Sequence, residues 1–233
     1  MFEHTGKNYN GERAIISLTS WKRRIHTAGF TIFSLLHACP RFHIVLVLST
    51  DEFPNKEADL PTDLVKMMRG GLFEILWIKQ NFRCFKKLLP TQSAYQSIPI
   101  ILADDGIVYK MNYAERLYNE WATDSGSIYA SDLYTGYGIA WGVGGAGIIF
   151  PPACFTEFYP KCLSDRIIRC NHDDALYGIL ASKKHIPFKR SKTVVWQQIY
   201  TDTEEGNRTS MHALKMYSDT MIPSMIKEVN SIC

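Results

Sequence analysis

Pro99-Ile100-Ile101-Leu102-Ala103-Asp104-Asp105-Gly106 is the stretch that decides the fold. A proline opens four apolar residues and two carboxylates close them. That is the signature of a short buried strand ending abruptly in polar surroundings. Three comparable runs precede it: Ala14-Ile15-Ile16-Ser17-Leu18-Thr19, His43 to Ser49 (HIVLVLS), and Phe73-Glu74-Ile75-Leu76-Trp77-Ile78. They are apolar, rich in β-branched residues and bounded by polar punctuation, which predicts strands. Between them the pattern predicts helices. One is capped by Thr27 and carries Phe30, Phe33, Leu35 and Leu36; one spans Leu60 to Arg69 and stops at Gly70-Gly71; a short one begins near Lys86. On the other side of Asp105, Asn112 and Glu115 read as a capping box. The helix they open has an apolar face of Ala114, Leu117, Tyr118 and Trp121, and Ser127 to Ser131 returns as a strand.

Near-continuous apolar strands separated by helices predict an α/β fold, a mostly parallel sheet with helices on both faces. Ligands of such sheets bind beyond the carboxyl ends of the strands. The residues at those ends are Thr19-Ser20, Ser49-Thr50-Asp51, Asn81 and Asp104-Asp105. The second half of the chain is different in texture. Tyr134 to Gly147 is rich in glycine and aromatics, Asn171 to Ala181 predicts a helix, and the tail after Ser210 predicts one or two helices broken at Pro223. No repeat or linker divides the chain, so residues 1–233 are expected to form one compact domain.

Composition narrows the classes. The chain has 233 residues, 46% hydrophobic and 21% charged, ordinary for a globular protein able to bury its own core. A formal charge of +3 from 26 basic and 23 acidic residues gives no ground for a nucleic-acid partner. The densest basic stretches, Lys22-Arg23-Arg24 and Lys183 to Lys192, are expected to be a phosphate-facing or membrane-surface patch or simply solvated surface. Six cysteines at 39, 84, 154, 162, 170 and 233 form no C-x-x-C pair and read as reduced thiols of a cytoplasmic protein. Asn207-Arg208-Thr209 fits a glycosylation sequon that matters only in a secreted chain. No signal peptide is expected from the polar, mixed first 13 residues, and no apolar run is long enough to span a bilayer.

Asp104-Asp105 carries the chemistry most directly. Adjacent carboxylates after a buried strand cost electrostatic energy unless a cation offsets them, and a divalent ion shared with a diphosphate does so. A solvated Asp-Asp-Gly turn is the plain alternative. Asp173-Asp174 reads locally as a helix start capped by Asn171, and chemically as a general base. Asn81 to Leu88 (NFRCFKKL) can aim N–H groups and lysines at an anion, or be a charged turn. Gly142-Val143-Gly144-Gly145-Ala146-Gly147 matches G-x-G-x-x-G, but it runs into Ile148 to Pro152 instead of opening a helix. A glycine-rich substrate loop entering a strand is expected, not a dinucleotide site. Histidine spacing fits no metal, and neither G-x-S-x-G nor a P-loop is present.

In their order these segments resemble small bacterial glycosyltransferases of the GT-A fold that build capsule or lipopolysaccharide chains. The matching stretches are Ile16 to Trp21 with Arg24-Ile25, Asn81 to Pro90, Ile100 to Tyr109, Gly144 to Pro152 and Asn171 to Leu176. The resemblance implies a Rossmann-like nucleotide-binding half over about residues 14–131 and an acceptor-side half over about 132–233. It implies Thr19, Ser20 and Arg24 in the nucleotide pocket, Lys86 or Lys87 at the donor phosphates, and Asp104-Asp105 as the donor and metal site. Trp141, Gly144 and Gly145 fall on the acceptor side, and Asp174, with Asp173 in reserve, is the base of an inverting displacement. The implied donor is a nucleotide diphosphate sugar, UDP-linked by default, and the acceptor a glycan or lipid-linked glycan hydroxyl at the inner face of a membrane. The implied cofactor is manganese or magnesium, reached through Asp105. Relatives, however, read Asp-Asp-Asp where this chain has Asp104-Asp105-Gly106. Three routes stay open: Asp105 or another group supplies the ligand, lysine and arginine neutralise the diphosphate without metal, or the enzyme is impaired. Two further classes remain beside the enzyme: a non-catalytic nucleotide-sugar or glycan binder, and, on the glycine run alone, a nicotinamide-dependent oxidoreductase.

Overall fold

The computed structural model describes residues 2–193, 196–197 and 220–233. Among them the strands are β1 (Glu3–Gly6), β2 (Ile15–Thr19), β3 (His43–Ser49), β4 (Glu74–Ile78), β5 (Ile100–Leu102), β6 (Val108–Tyr109), β7 (Ile128–Ala130), β8 (Leu133–Gly136), β9 (Ile139–Gly142), β10 (Ile148–Phe150), β11 (Phe188–Arg190) and β12 (Trp196–Gln197). The helices are α1 (Ile25–Ala38), α2 (Thr62–Arg69), α3 (Leu89–Ala94), α4 (Tyr113–Trp121), α5 (Asp165–Cys170), α6 (Asp173–Lys183) and α7 (Met221–Ile232).

Eight strands form the main sheet in the order β1-β4-β3-β2-β5-β10-β7-β11. Its centre, β4-β3-β2-β5, is parallel throughout. β1 joins the outer edge antiparallel to β4, β10 lies antiparallel between β5 and β7, and β11 runs parallel to β7. The first three central strands step in one direction and β5 then lands on the other side of β2. The strand order therefore reverses between β2 and β5, the place where open α/β sheets leave a crevice at the carboxyl ends.

Alternation along each central strand splits the core in two. Ile15, Val45, Val47, Leu76, Ile100 and Leu102 face the helices α3, α5, α6 and α7. Ile16, Leu18, Leu46, Ile75, Trp77 and Ile101 face α1, α2 and α4. Both faces are covered, which is why these strands read as unbroken apolar runs. β10 and β11 belong to the second half of the chain and share the sheet with the first.

Local chemistry departs from expectation at several helix ends. Thr27 caps nothing: it lies inside α1, buried, with its hydroxyl on the Arg24 carbonyl at 2.9 Å. Ile25, Ala28, Ile32 and Leu35 form the buried stripe of α1, and this phase turns Phe30 and Phe33 outward at 62% and 60% exposure. The Asn112–Glu115 box does not form. Asn112 takes a left-handed backbone (φ 61°), unlike the extended one that lets a cap side chain reach back, and Glu115 pairs with Arg13 at 2.8 Å. Asn171 likewise ends α5 in a left-handed conformation, and the His172 ring nitrogen accepts from the Ala175 N–H at the start of α6. Pro223 does not break α7, because in the first turn its missing N–H costs no helical bond. The short helix near Lys86 is a 3₁₀ turn, Arg83–Lys87, running into α3. Residues 210–219 and the Asn207 sequon lie outside the described residues.

β8 and β9 form a hairpin through Tyr137-Gly138, both at positive φ, the two-residue geometry that suits strand twist. The hairpin docks on α6 where Gly178 has no side chain: a Cβ there would lie 2.6 Å from the Ala140 carbonyl oxygen. This contact brings the start of α6 beside the glycine loop that follows β9.

Candidate functional site

Each motif contributes from a strand end or helix start around the β2/β5 reversal. Ser20, one residue beyond β2, donates its hydroxyl to Asp105 Oδ2 at 2.5 Å, across the reversal itself. Arg24, at the start of α1, sends Nη2 to the Asp105 carbonyl oxygen at 2.6 Å and to its Oδ1 at 3.3 Å. The Gly106 N–H is held by the Thr31 hydroxyl at 2.9 Å. Thr19 is turned away, donating to the Val47 carbonyl at 2.7 Å.

Lys87 is the hub. Its ammonium lies 2.7 Å from Asp104 Oδ1 and 3.0 Å from Asp173 Oδ2, the second contact at an angle that makes no hydrogen bond. Burial works against this ammonium, yet Asp104, Asp173 and Asp174 hold it well above the ordinary lysine range. Lys86 serves differently. It is buried against Glu52 at 3.2 Å and the Ser20 carbonyl at 3.4 Å, and burial pulls its affinity for a proton down. Lys86 therefore fastens the strand ends together while Lys87 meets the acids.

The glycine loop closes the other side. Asp174 Oδ1 accepts the Gly144 N–H at 3.0 Å. At Gly145 a Cβ would lie 2.5 Å from Asp104 Oδ2, so only glycine lets the acid approach the backbone. The run is the end of β9, a 3₁₀ turn at Gly144–Ala146 and then β10, not the opening of a helix. Trp141 sits next to this loop on β9, stacked on Tyr134 with ring centroids 6.3 Å apart.

The carboxylates are not equivalent. Asp104 is nearly half exposed, while Asp105 is buried. Burial pushes Asp105 up to about 6 although Arg24 and Ser20 favour its ionised form. Asp173 is buried and Asp174 half-buried. Burial and the neighbouring Asp173 raise Asp174 well above the carboxylate range. These perturbed acids gathered at the strand ends make this cluster the candidate site.

The donor set does not fit a protein-held divalent ion. Asp105 spends both oxygens on Ser20 and Arg24, Asp104 is paired with Lys87, and Gly106 offers no ligand. Among the described residues no three His, Cys, Asp or Glu side chains converge to hold a metal. Cysteine chemistry is also unsupported: all six thiols are free, and burial raises those of Cys39, Cys154 and Cys162 to about 12.

Two site residues escaped the sequence. The Tyr109 hydroxyl accepts the Asp104 N–H at 2.9 Å and donates to the Gly145 carbonyl at 3.2 Å, joining the acid turn to the glycine loop. Glu52, beyond β3, holds both Lys86 and the Asn81 amide, the latter at 3.1 Å. Tyr109 stands five residues past Asp104 in the quoted motif and was within reach of the sequence; Glu52 had no signal.

No protein-family model and no curated protein matches the chain. A solved structure of a 4-diphosphocytidyl-2C-methyl-D-erythritol synthase is similar in fold, with a TM-score of 0.50 and 11% identity over 87% of this chain and 99% of that one. The likeness establishes the mixed α/β, mostly parallel, Rossmann-like architecture. No described helix is long and apolar enough to cross a membrane.

Proposed function

We propose that this protein is a glycosyltransferase that moves a sugar from a nucleotide diphosphate sugar to a glycan hydroxyl, in the making of a surface polysaccharide. One observation carries the reading: Lys87 ties Asp104, at the end of β5, to Asp173 at the start of α6, with Asp174 and the Gly144-Gly145 loop beside them. A donor-side acid, an acceptor-side acid and a close-approach glycine loop thus meet around one lysine. A solved protein of this fold is named as a synthase of a diphosphocytidyl compound, which supports a substrate carrying a nucleotide diphosphate.

In the proposed step the acceptor oxygen attacks the sugar's anomeric carbon. The bond from that carbon to the diphosphate breaks, and its electron pair leaves with the nucleoside diphosphate. The acceptor proton passes to Asp174. Asp174 suits this role better than Asp173, which is buried against Lys87. Its raised proton affinity makes it a stronger base once ionised and places the acid limb of the rate profile above ordinary carboxylate pH. Acceptors at a membrane surface, lipid-linked glycans included, belong to this reading.

A panel of nucleotide sugars and glycan acceptors, read by nucleoside diphosphate release, tests it. Asp174→Asn is expected to lower kcat by about 10²–10⁴-fold with nucleotide affinity retained. Full turnover in both Asp174→Asn and Asp173→Asn would remove the base. Tight binding without turnover across the panel would make the protein a nucleotide-sugar binder instead. The oxidoreductase alternative has no footing, because the glycine run opens no helix.

A further inference from the structure

We propose that the Arg24 guanidinium faces the donor's diphosphate, in the place of a protein-held metal ion. The inference rests on the transferase reading above. Its first support is steric. Gly106 has φ +148°, and a Cβ built on it would lie 2.3 Å from Arg24 Nη2. The space a side chain at residue 106 would need is filled by a guanidinium, so Arg24 in this position and an acid at 106 exclude one another. The second support is the fixing of that guanidinium. Nη2 is locked between the Asp105 carbonyl and carboxylate, and Ser20 holds the other carboxylate oxygen. Among the described residues both Arg24 contacts to the acid turn run through Nη2, while the side chain keeps about a third of its surface exposed at 32%. The remaining N–H groups of a rigid planar fork suit phosphate oxygens. The third support is Lys87, whose ammonium lies between Asp104 and Asp173, the other acids a metal would need.

Each acid facing the crevice from β5 therefore has a resident cation. A divalent ion would have to displace one of these cations before binding, with repulsion from the one that stayed. Arg24 is thus a charge-bearing binding residue whose place depends on glycine at 106, four positions beyond the strand.

Titration calorimetry of UDP, CDP and GDP into the full chain, in EDTA and again in excess manganese, decides the matter. For whichever nucleotide binds, the two Kd values are expected to agree within about threefold. Arg24→Ala should weaken binding about tenfold or more in both buffers, the loss of a charge-assisted hydrogen bond to phosphate. Arg24→Lys, which keeps the charge and loses the fork, should fall between. A tenfold or greater tightening by manganese in the unmodified protein overturns the inference and leaves the transferase reading standing, as does unchanged binding by folded Arg24→Ala in EDTA. No binding of any of the three in either buffer overturns both.

Discussion

The two ends of the same parallel strands bury charge in opposite ways. At the amino ends, Glu74 opens β4 beside His43, which opens β3. The Glu74 carboxylate is bonded to His4 Nδ1 and His43 Nε2, each at 2.6 Å, and the Tyr95 hydroxyl lies 2.6 and 2.5 Å from its two oxygens. Burial pushes Glu74 up, but these three partners outweigh it and hold the group below the usual carboxylate range. At the carboxyl ends, Asp104, Asp105, Asp173 and Asp174 share two cations, Arg24 and Lys87, and there burial prevails for Asp105 and Asp174. Desolvation acts at both ends. The number of partners per carboxylate sets the sign. At one end the partners hold the carboxylate ionised; at the other, burial holds protons on Asp105 and Asp174.

Removing Lys87 should produce the largest change. Lys87→Met strands Asp104 and Asp173 without their cation and should cost about 4 kcal/mol at pH 8 by urea denaturation. Unaltered stability would break the contrast, since the hub would not be holding the acids. Glu74→Gln should cost about 3 kcal/mol at pH 7, because His43 loses a buried partner. Glu74 lies below its ordinary value of 4.5 in the fold, so its stabilisation is present above that value and lost as pH falls through the folded one. The gap between Glu74→Gln and the unmodified protein should therefore close in acid, and paired melts at pH 7 and pH 3 would reveal a gap that does not.

Asp105→Asn should give a change of the opposite sign. Its carboxyl titrates at about 6 in the fold against an ordinary 3.8, so ionisation destabilises the native state as pH rises through that window. The variant should be about 3 kcal/mol more stable at pH 8 and no different below pH 4. Nucleotide binding should weaken at the same time, since Arg24 loses its anchor. A variant less stable at pH 8 would show that the Arg24 and Ser20 contacts outweigh desolvation and would bring Asp105 into line with Glu74.

Much of the framework was legible in the chain. The apolar runs at Ile15, His43, Glu74 and Ile100 became the parallel centre, because burial on both faces leaves a direct compositional trace. The polar residues that follow those runs were legible too, and the fold brings Ser20 and Asp105 together. Helix ends were less so: Thr27, Asn112 and Asn171 have cap chemistry in sequence, but the cap depends on backbone angles that tertiary packing sets. Phe30 and Phe33 show the same limit, since the phase of α1 was fixed by which stripe met the sheet.

By itself, then, the sequence determined the strands, their burial and the acids at their ends, all governed by neighbours a few positions apart. Only the tertiary structure decided the charge partners. Arg24 and Asp105 stand 81 positions apart and meet because strand order reverses between β2 and β5. Lys87 reaches Asp173 because Gly178 lets α6 close on β9. Gly106, which in sequence is a missing carboxylate, is in the fold the opening through which a guanidinium reaches the acid turn.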